Sequence, residues 1–393
     1  MFDDTETIMG GLLSTTEETR RDDGSAPPRA AMVDLFAGPG GLDVAAHWLG
    51  VPAHGIEWDS NACATRAAAG LGTTQGDVRR FGPADFPDAT VLAGGPPCQT
   101  FTMAGNGAGR RALELVTGLV KKMAAREDVT SIVGNLDDER TGLVLEPLRW
   151  ALEAHGLGRP YRAIVLEQVP SVLPVWGAVR EALEAIGYKG WHGILHTEEY
   201  GVPQTRRRAI LIARLDGRPH CPPPTHHRFR RGAPRPVEGR GLRPWETMGR
   251  ALGRKGAFTV ISNYGSGGDP KARGRRRSDE PAATVTGKVS RNRLTGPGAL
   301  DTDRFSHAEA GRLQTFPRDY PWSGKDISQQ IGNAIPPRLA AHVLLEALRP
   351  EVQAVDLEDL VRRSWTDVPV PSEDGTEQSE DPVGDSPVLA VSS

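Results

Sequence analysis

Short apolar runs alternate with helical stretches from residue 31 to residue 214, and this restricts the chain to a sheet covered by helices. AMVDLF (31–36) reads as a strand, GLDVAAHWLG as a helix, AHGIEW (53–58) as a strand and SNACATRAAAG as a helix. TVLAGG (90–95), AIVLEQV (163–169), a helix near 176–186, GILHTEE and AILIAR (209–214) continue the pattern. Strands that alternate with helices bury both sheet faces, so the expected fold class is α/β with a doubly wound, Rossmann-like sheet. Ligands in such sheets bind at the carboxyl ends of the strands, and the chemistry-bearing residues of this chain fall there. From about 215 to 305 the pattern gives way to Gly, Pro and Arg, read as a separate, smaller, loop-rich insertion. Regularity returns at AEAGRLQTF and at PPRLAAHVLLEALR, a helix.

Charge separates the same regions. The formal charge of the 393 residues is -3, yet Arg214 to Leu300 carries 19 Lys/Arg against 6 Asp/Glu. A net +13 in an otherwise acidic chain points to a polyanion held at one place, the bland alternative being a solvated, arginine-rich loop. The expected division is a disordered tail at 1–29, a first domain at 30–214 completed by 325–350, the insertion at 215–324, a C-terminal return at 325–365 and a disordered acidic tail at 366–393. Neither tail has the apolar content to offset ordering entropy. No apolar run approaches the roughly 20 residues of a membrane span, and the acidic N-terminus lacks a signal pattern. Cys63, Cys98 and Cys221 lie far apart with no C-x-x-C pair, which fits a reducing cytoplasm and argues against a zinc site. A cytoplasmic protein without membrane or metal is expected.

Residues at four strand ends carry the chemistry. Asp34-Leu35-Phe36-Ala37-Gly38-Pro39-Gly40-Gly41 joins the first strand to the first helix, and its glycines let backbone approach a ligand closely. It is not the G-x-G-x-x-G dinucleotide fingerprint. Glu57 ends the second strand, where a carboxylate can accept ribose hydroxyls; Trp58 can stack on an adenine, and Asp77 can accept from its amino group. Singly, each acid is as easily a surface carboxylate; together with the turn they describe an adenosine pocket. Gly94-Gly95-Pro96-Pro97-Cys98-Gln99 closes the fourth strand, and its two prolines stiffen the turn that presents the thiol. Such a cysteine is a good nucleophile where nearby positive charge favours the thiolate. Glu167 ends a buried strand, and burial makes its carboxyl a usable proton donor. On a strand Gln204, Arg206 and Arg208 share one face and are expected to converge, the bland alternative being a surface basic run beside a strand.

These blocks, in this order, resemble the DNA cytosine-5 methyltransferase family: DLFAGPGG, GGPPCQ, LEQV, QTRRR, RLQTFP (312–317) and QQIGNAIPP (329–337). The resemblance implies a sheet that binds S-adenosylmethionine and a smaller target recognition domain in the basic insertion. Phe36, Ala37, Gly38, Gly40, Gly41, Leu42, Glu57, Trp58, Asp77, Val78, Pro97, Asn333 and Ala334 fall on its cofactor positions. Asp138-Glu139-Arg140-Thr141-Gly142-Leu143 resembles its D-x-R-x-x-L block and adds Leu143. Cys98 matches the nucleophile, Glu167 the residue that engages cytosine N3, and Arg208 the contact to the base carbonyl, with Arg206 supporting the same network. Cytosine C5 becomes nucleophilic only after a thiolate adds at C6, and a stacked base cannot offer C6, so the base must flip out. Double-stranded DNA is the implied partner of a monomer, with a cognate restriction endonuclease left open. Gln99 and Gln204 are expected near DNA, as are Arg275, Arg276 and Arg277 on phosphates and Arg291 and Arg293 on base edges.

The departures are informative. Glu167-Gln168-Val169 stands where the family usually has E-N-V, a change that bears on loop anchoring. Thr100 and Thr102 stand where Gly and Ser are common. Some 40 residues separate Cys98 from Asp138, longer than the family's catalytic loop, and this stretch is either hinged at 104–109 or a helical insertion. Alternatives are a tRNA cytosine methyltransferase, disfavoured by the basic insertion and the Pro-Cys-Gln; a catalytically silent DNA-binding homologue, disfavoured by the retained cysteine and turn; and a nicotinamide dehydrogenase, disfavoured by the missing fingerprint.

Overall fold

A computed structural model describes residues 31–97, 108–136, 140–239, 241–263, 273–299, 303–349 and 356–367. The apolar runs become the strands β1 (Met32–Leu35), β2 (Ala53–Glu57), β3 (Gly72–Gln75), β4 (Val91–Gly94), β5 (Ala163–Gln168), β6 (Lys189–His196) and β7 (Arg207–Arg214). They form one sheet in the order β3-β2-β1-β4-β5-β7-β6. Neighbours from β3 through β5 are parallel, whereas β7 runs antiparallel to both β5 and β6. The order reverses between β1 and β4, and a crevice opens at such a switch point.

Strand alternation sorts the core into two layers. Val165, Ile210 and Ile212 face α1 (Gly41–Trp48) and α8 (Pro337–Ala347). Ile164, Leu166 and Leu211 face α4 (Glu146–Gly156) and α5 (Leu173–Glu184), with α3 (Ala108–Ala124) packed against α5. Helix α5 thus begins three residues before the 176–186 expected from sequence, at Leu173 after the Pro170 turn. Much of the long stretch after the proline turn is a helix: α3 turns Val116, Leu119 and Val120 into the core. Helix α2 (Ser60–Ala68) is capped by Asp59, whose carboxylate accepts from the Asn61 N–H.

The basic insertion has its own core of Met248, Phe258, Val260, Val285 and Leu294 around a small antiparallel sheet. That sheet is ordered β10 (Arg293–Thr295), β8 (Thr259–Ile261), β9 (Arg275–Arg277). Helices α6 (His307–Leu313) and α7 (Ile327–Asn333) lead back to the large sheet. Phe316 and Tyr320 already belong to the large sheet's core, so the chain re-enters it before residue 325. The short helix α9 (Leu357–Leu360) closes the described chain on the same side.

Candidate active site

The turn after β1 is held in left-handed backbone: φ is 61° at Phe36, 55° at Gly38 and 101° at Gly40. Only glycine adopts this region freely, so Phe36 is a strained position that its neighbours must hold. The Ala37 N–H donates to Ile56 O at 3.1 Å, and the Gly38 N–H donates to Glu57 Oε2 at 2.7 Å. The other Glu57 oxygen accepts from the Asp59 N–H, also at 2.7 Å. Burial pushes the Glu57 carboxyl up, and these two backbone donors pull it back. A side chain at Gly38 would meet nothing within 4 Å, so open space lies above this turn. Trp58, which follows Glu57 in the chain, is 70% exposed.

Beneath the turn lies a polar layer that the motifs did not announce. Arg66 grips both Asp43 oxygens at 2.7 and 2.8 Å and donates to Thr73 at 2.9 Å. A Cβ at Gly55 would sit 2.2 Å from the Arg66 guanidinium, which accounts for a glycine in that strand. Burial, and then the charge of Asp43, push the Asp34 carboxyl well up. A Cβ at Gly41 would come 2.3 Å from Ile335 O, so the first helix leans directly on the 333–336 turn. Tyr320 adds a bond from its hydroxyl to Pro39 O at 2.5 Å.

The other expected cofactor residues divide. Phe36 and Leu143 are half-buried against the same apolar layer, Asn333 is exposed, and Pro97 is half-buried at the proline turn. Ala37, Leu42, Val78 and Ala334 are buried, so only their backbone can face a ligand. Asp77 differs from expectation. Although burial works the other way, its carboxyl is held low by Arg79, whose backbone N–H donates at 2.9 Å and whose guanidinium reaches to 2.5 Å. The 3-10 turn that starts at Val78 brings Arg79 back onto Asp77, a local geometry that alternation cannot forecast.

At the chemistry end, Glu167 is 7% exposed near the end of β5, and Arg208 Nε lies 2.5 Å from its Oε1. The guanidinium offsets the cost of burying a carboxylate. A Cβ at Gly95 would stand 3.4 Å from Glu167 Oε2, so the turn that leads to Pro96 and Pro97 passes directly over the acid. Gln168 fastens that turn: its amide donates to Pro96 O, and its own oxygen accepts from the Val169 N–H. Cys98, Gln99 and Asp138 lie outside the described residues. Of the other cysteines, Cys63 is pushed up to about 11 by burial and then by the Glu57 charge, which keeps it a thiol. Cys221 is also pushed up by burial.

The expected convergence of Gln204, Arg206 and Arg208 does not occur, because the strand starts only at Arg207. Arg206, 1% exposed, turns away from Glu167 and donates to Val285 O at 2.9 Å, Gly332 O at 3.0 Å and Ala334 O at 3.2 Å. It clamps the small domain to the 332–334 turn rather than supporting the Glu167–Arg208 pair. Gln204 is fully buried and cannot face DNA: its amide donates to Leu313 O at 3.0 Å and its oxygen accepts from the Val285 N–H at 2.9 Å.

The arginines expected on phosphates also divide. Arg275 is exposed, but Arg276 is half-buried, with its guanidinium 4.9 Å from the centre of the Phe229 ring. Arg277 donates to Asp279 at 3.0 and 2.8 Å. Arg291 is exposed, and Arg293, also exposed, lies 3.5 Å from Asp303. Among the described residues no group of three His, Cys, Asp or Glu side chains can hold a metal ion. Nor is any described helix long and apolar enough to cross a membrane.

Comparison with known proteins bears on the same residues. The family model for C-5 cytosine-specific DNA methylase matches residues 30–122, 162–235 and 242–349. The Type II methyltransferase M.NgoFVII of Neisseria gonorrhoeae is 26% identical over 361 residues, 80% of this chain and 85% of the relative. The Type II methyltransferase M1.HphI of Haemophilus parahaemolyticus is 26% identical over 348 residues, 81% of this chain and 86% of the relative. The crystal structure of S. pombe Dnmt2 methyltransferase shares the fold, with a TM-score of 0.56 at 18% identity over 82% of this chain and 99% of that one. The match covers the first part of the long stretch after the proline turn, omits 123–161 and resumes at β5 with its strand-end acid. From the glycine turn to the 333–337 turn, the chain belongs to the C-5 cytosine-specific DNA methylase family and is a DNA (cytosine-5) methyltransferase.

Proposed function

We propose that this chain methylates C5 of a cytosine flipped out of duplex DNA, with Cys98 as the covalent nucleophile. The observation that carries the reading is the proline turn, tied through Pro96 O to Gln168 and passing over the Glu167–Arg208 pair. The turn that leads to Cys98 in sequence thus sits beside a buried acid and a guanidinium. Cys98 would add as thiolate to C6, forming an S–C6 bond and pushing the C5=C6 electron pair towards C5. Glu167 would engage N3 through a proton held between its carboxyl oxygen and the ring nitrogen, and Arg208 would hold both that carboxyl group and the base carbonyl. Loss of the C5 proton, once the methyl is in place, returns the electron pair and expels the thiolate from C6.

S-adenosylmethionine, when bound, supplies an electrophilic methyl group carried on a sulfonium. The residues fit it: open space above Gly38, a carboxylate at Glu57, and the exposed ring of Trp58. Glu57 would have to serve both the turn and the ribose, which its two oxygens allow, each having a second lone pair. Asp77 would reach an adenine amino group only by sharing its carboxylate with Arg79.

The test is covalent trapping. The whole protein should form an adduct with a duplex carrying 5-fluorocytosine, and should methylate duplex DNA in bisulfite sequencing. Cys98→Ser should lose both and keep its melting temperature. An adduct that persists in Cys98→Ser, or methylation of tRNA in place of DNA, would overturn the proposal.

A further inference from the structure

The strands β6 and β7 end side by side, with His196 paired to Arg207 in register. Arg207 is the chain neighbour of Arg208, which meets Glu167. Beyond β7 the chain loops out and returns to this corner. The Thr225 and His226 N–H groups donate to Glu199 O at 2.9 and 3.0 Å, which fastens the segment Thr225-His226-His227-Arg228-Phe229-Arg230-Arg231 along the turn after β6. Phe229 pins it further: its ring meets Trp245 edge-on at 5.3 Å and lies under the Arg276 guanidinium.

The backbone of this segment is held, while its cations are not. Arg207, Arg228, Arg230 and Arg231 are all exposed, and none has a carboxylate partner among the described residues. Elsewhere in the small domain Arg277 is joined to Asp279, Arg254 to Glu309 and Arg293 to Asp303, while Arg275 and Arg291 are exposed without a carboxylate partner among the described residues. The free cations also crowd one another. Burial, and then the charges of Arg228 and Arg207, hold the His196 imidazole down to about 4. Burial disfavours the charge on Arg276, Glu280 opposes that, and Arg231 adds to it. The buried acid between them gives little relief, since burial pushes Glu198 up to about 7. Exposed like charges gathered over a buried acid form a site for a polyanion.

On the reading that the substrate is duplex DNA, we propose that Arg207, Arg228, Arg230 and Arg231 form a phosphate-binding patch that grips the DNA backbone beside the target cytosine. The segment lies flat along the turn after β6 and projects no helix or strand that could enter a groove. Its arginines therefore position the duplex and raise affinity without reading sequence. Arg207, the chain neighbour of Arg208, puts one end of the patch beside the candidate site.

The experiment measures duplex affinity by fluorescence anisotropy across a range of salt concentrations, together with the methylated site by bisulfite sequencing. Each phosphate contact contributes about 0.9 to the slope of log affinity against log salt. Arg228→Gln with Arg230→Gln and Arg231→Gln should therefore flatten that slope by about 2 to 3 and weaken low-salt binding by about 10-fold or more. Arg207→Gln alone should flatten it by about 1, and Arg277→Gln, already joined to Asp279, should leave it unchanged. The methylated sequence, S-adenosylmethionine affinity and melting temperature should stay at wild-type values. An unchanged slope in the triple variant, or a shift in the methylated sequence, overturns the patch while the wild type still methylates duplex DNA. A wild type that methylates tRNA and no duplex overturns the function on which the patch rests.

Discussion

Gln168 shows how much one side chain beside the acid can decide. Its amide is buried and bonded to Pro96 O, so it supplies the anchoring that the altered E-Q-V block put in question. Gln168→Ala would leave a buried carbonyl without its donor, a loss of about 1–3 kcal/mol, and would free the turn before Cys98. The expected result is a lower melting temperature and a slower single-turnover rate, with duplex affinity near wild type. Gln168→Asn should recover part of the rate; if Gln168→Ala turns over normally, the turn is held by something else. Trp58 makes the opposite case. It is exposed and belongs to no core cluster, so Trp58→Ala should leave stability alone and weaken S-adenosylmethionine by about 1–3 kcal/mol, as stacked bases lose on alanine substitution. Calorimetry checks this, and a fall in melting temperature would assign Trp58 to folding. Glu57 was legible because a strand-end acid after a glycine turn is a positional signal. The Arg79 hold on Asp77 was not, since a contact between residues two apart depends on the local turn.

At the scale of elements, strands buried on both faces read directly from sequence, because burial demands continuous apolar runs. Their direction did not: the run Ala209–Ala213 is equally apolar whichever way it points, and β7 proves antiparallel to β5. Nor did β9 announce itself, for Arg275-Arg276-Arg277 has no apolar alternation and becomes a strand through its pairing with β8. The start of β7 at Arg207 is what removes Arg206 from the catalytic face. In its clamp role Arg206 satisfies the carbonyls of Val285, Gly332 and Ala334 across the joint between the domains. Arg206→Met would strand them, and each buried carbonyl left without its donor costs about 1–3 kcal/mol. Urea unfolding should show a loss of that order, with activity falling because the small domain loses its fixed angle. A variant that unfolds at the wild-type urea concentration yet cannot methylate would return Arg206 to the chemistry.

For the whole molecule, the segment 356–367 ties the small domain to the large sheet. Trp365 donates to Ala69 O at 3.1 Å and stacks on His47 and Tyr320. Glu358 takes Arg338 from α8 and Arg243, at 2.5 Å, from the small domain. A chain cut to residues 30–365 should therefore keep its melting temperature, and one that stops at 355 should lose several degrees. The same joint carries a pH dependence. His226 is buried there, with its Nδ1 2.9 Å from the Thr225 hydroxyl and its Nε2 3.7 Å from Glu358. Burial, and then Arg338, hold its imidazole down to about 3, despite the opposing pull of Glu358. As pH falls below about 6.5, the usual histidine value, the unfolded chain takes up a proton that the folded one refuses. Stability present at neutral pH is then lost progressively towards the folded value of about 3. Other buried groups titrate in the same range, among them His342 and Glu198, so a difference between proteins isolates this one. His226→Asn should be less stable than wild type at pH 7, yet its stability should decline less steeply between pH 6 and pH 4. The slopes should differ by one proton at most, or about 1.4 kcal/mol per pH unit. Urea unfolding at a series of pH values measures both slopes, and parallel lines would mean that His226 accepts its proton in the folded protein.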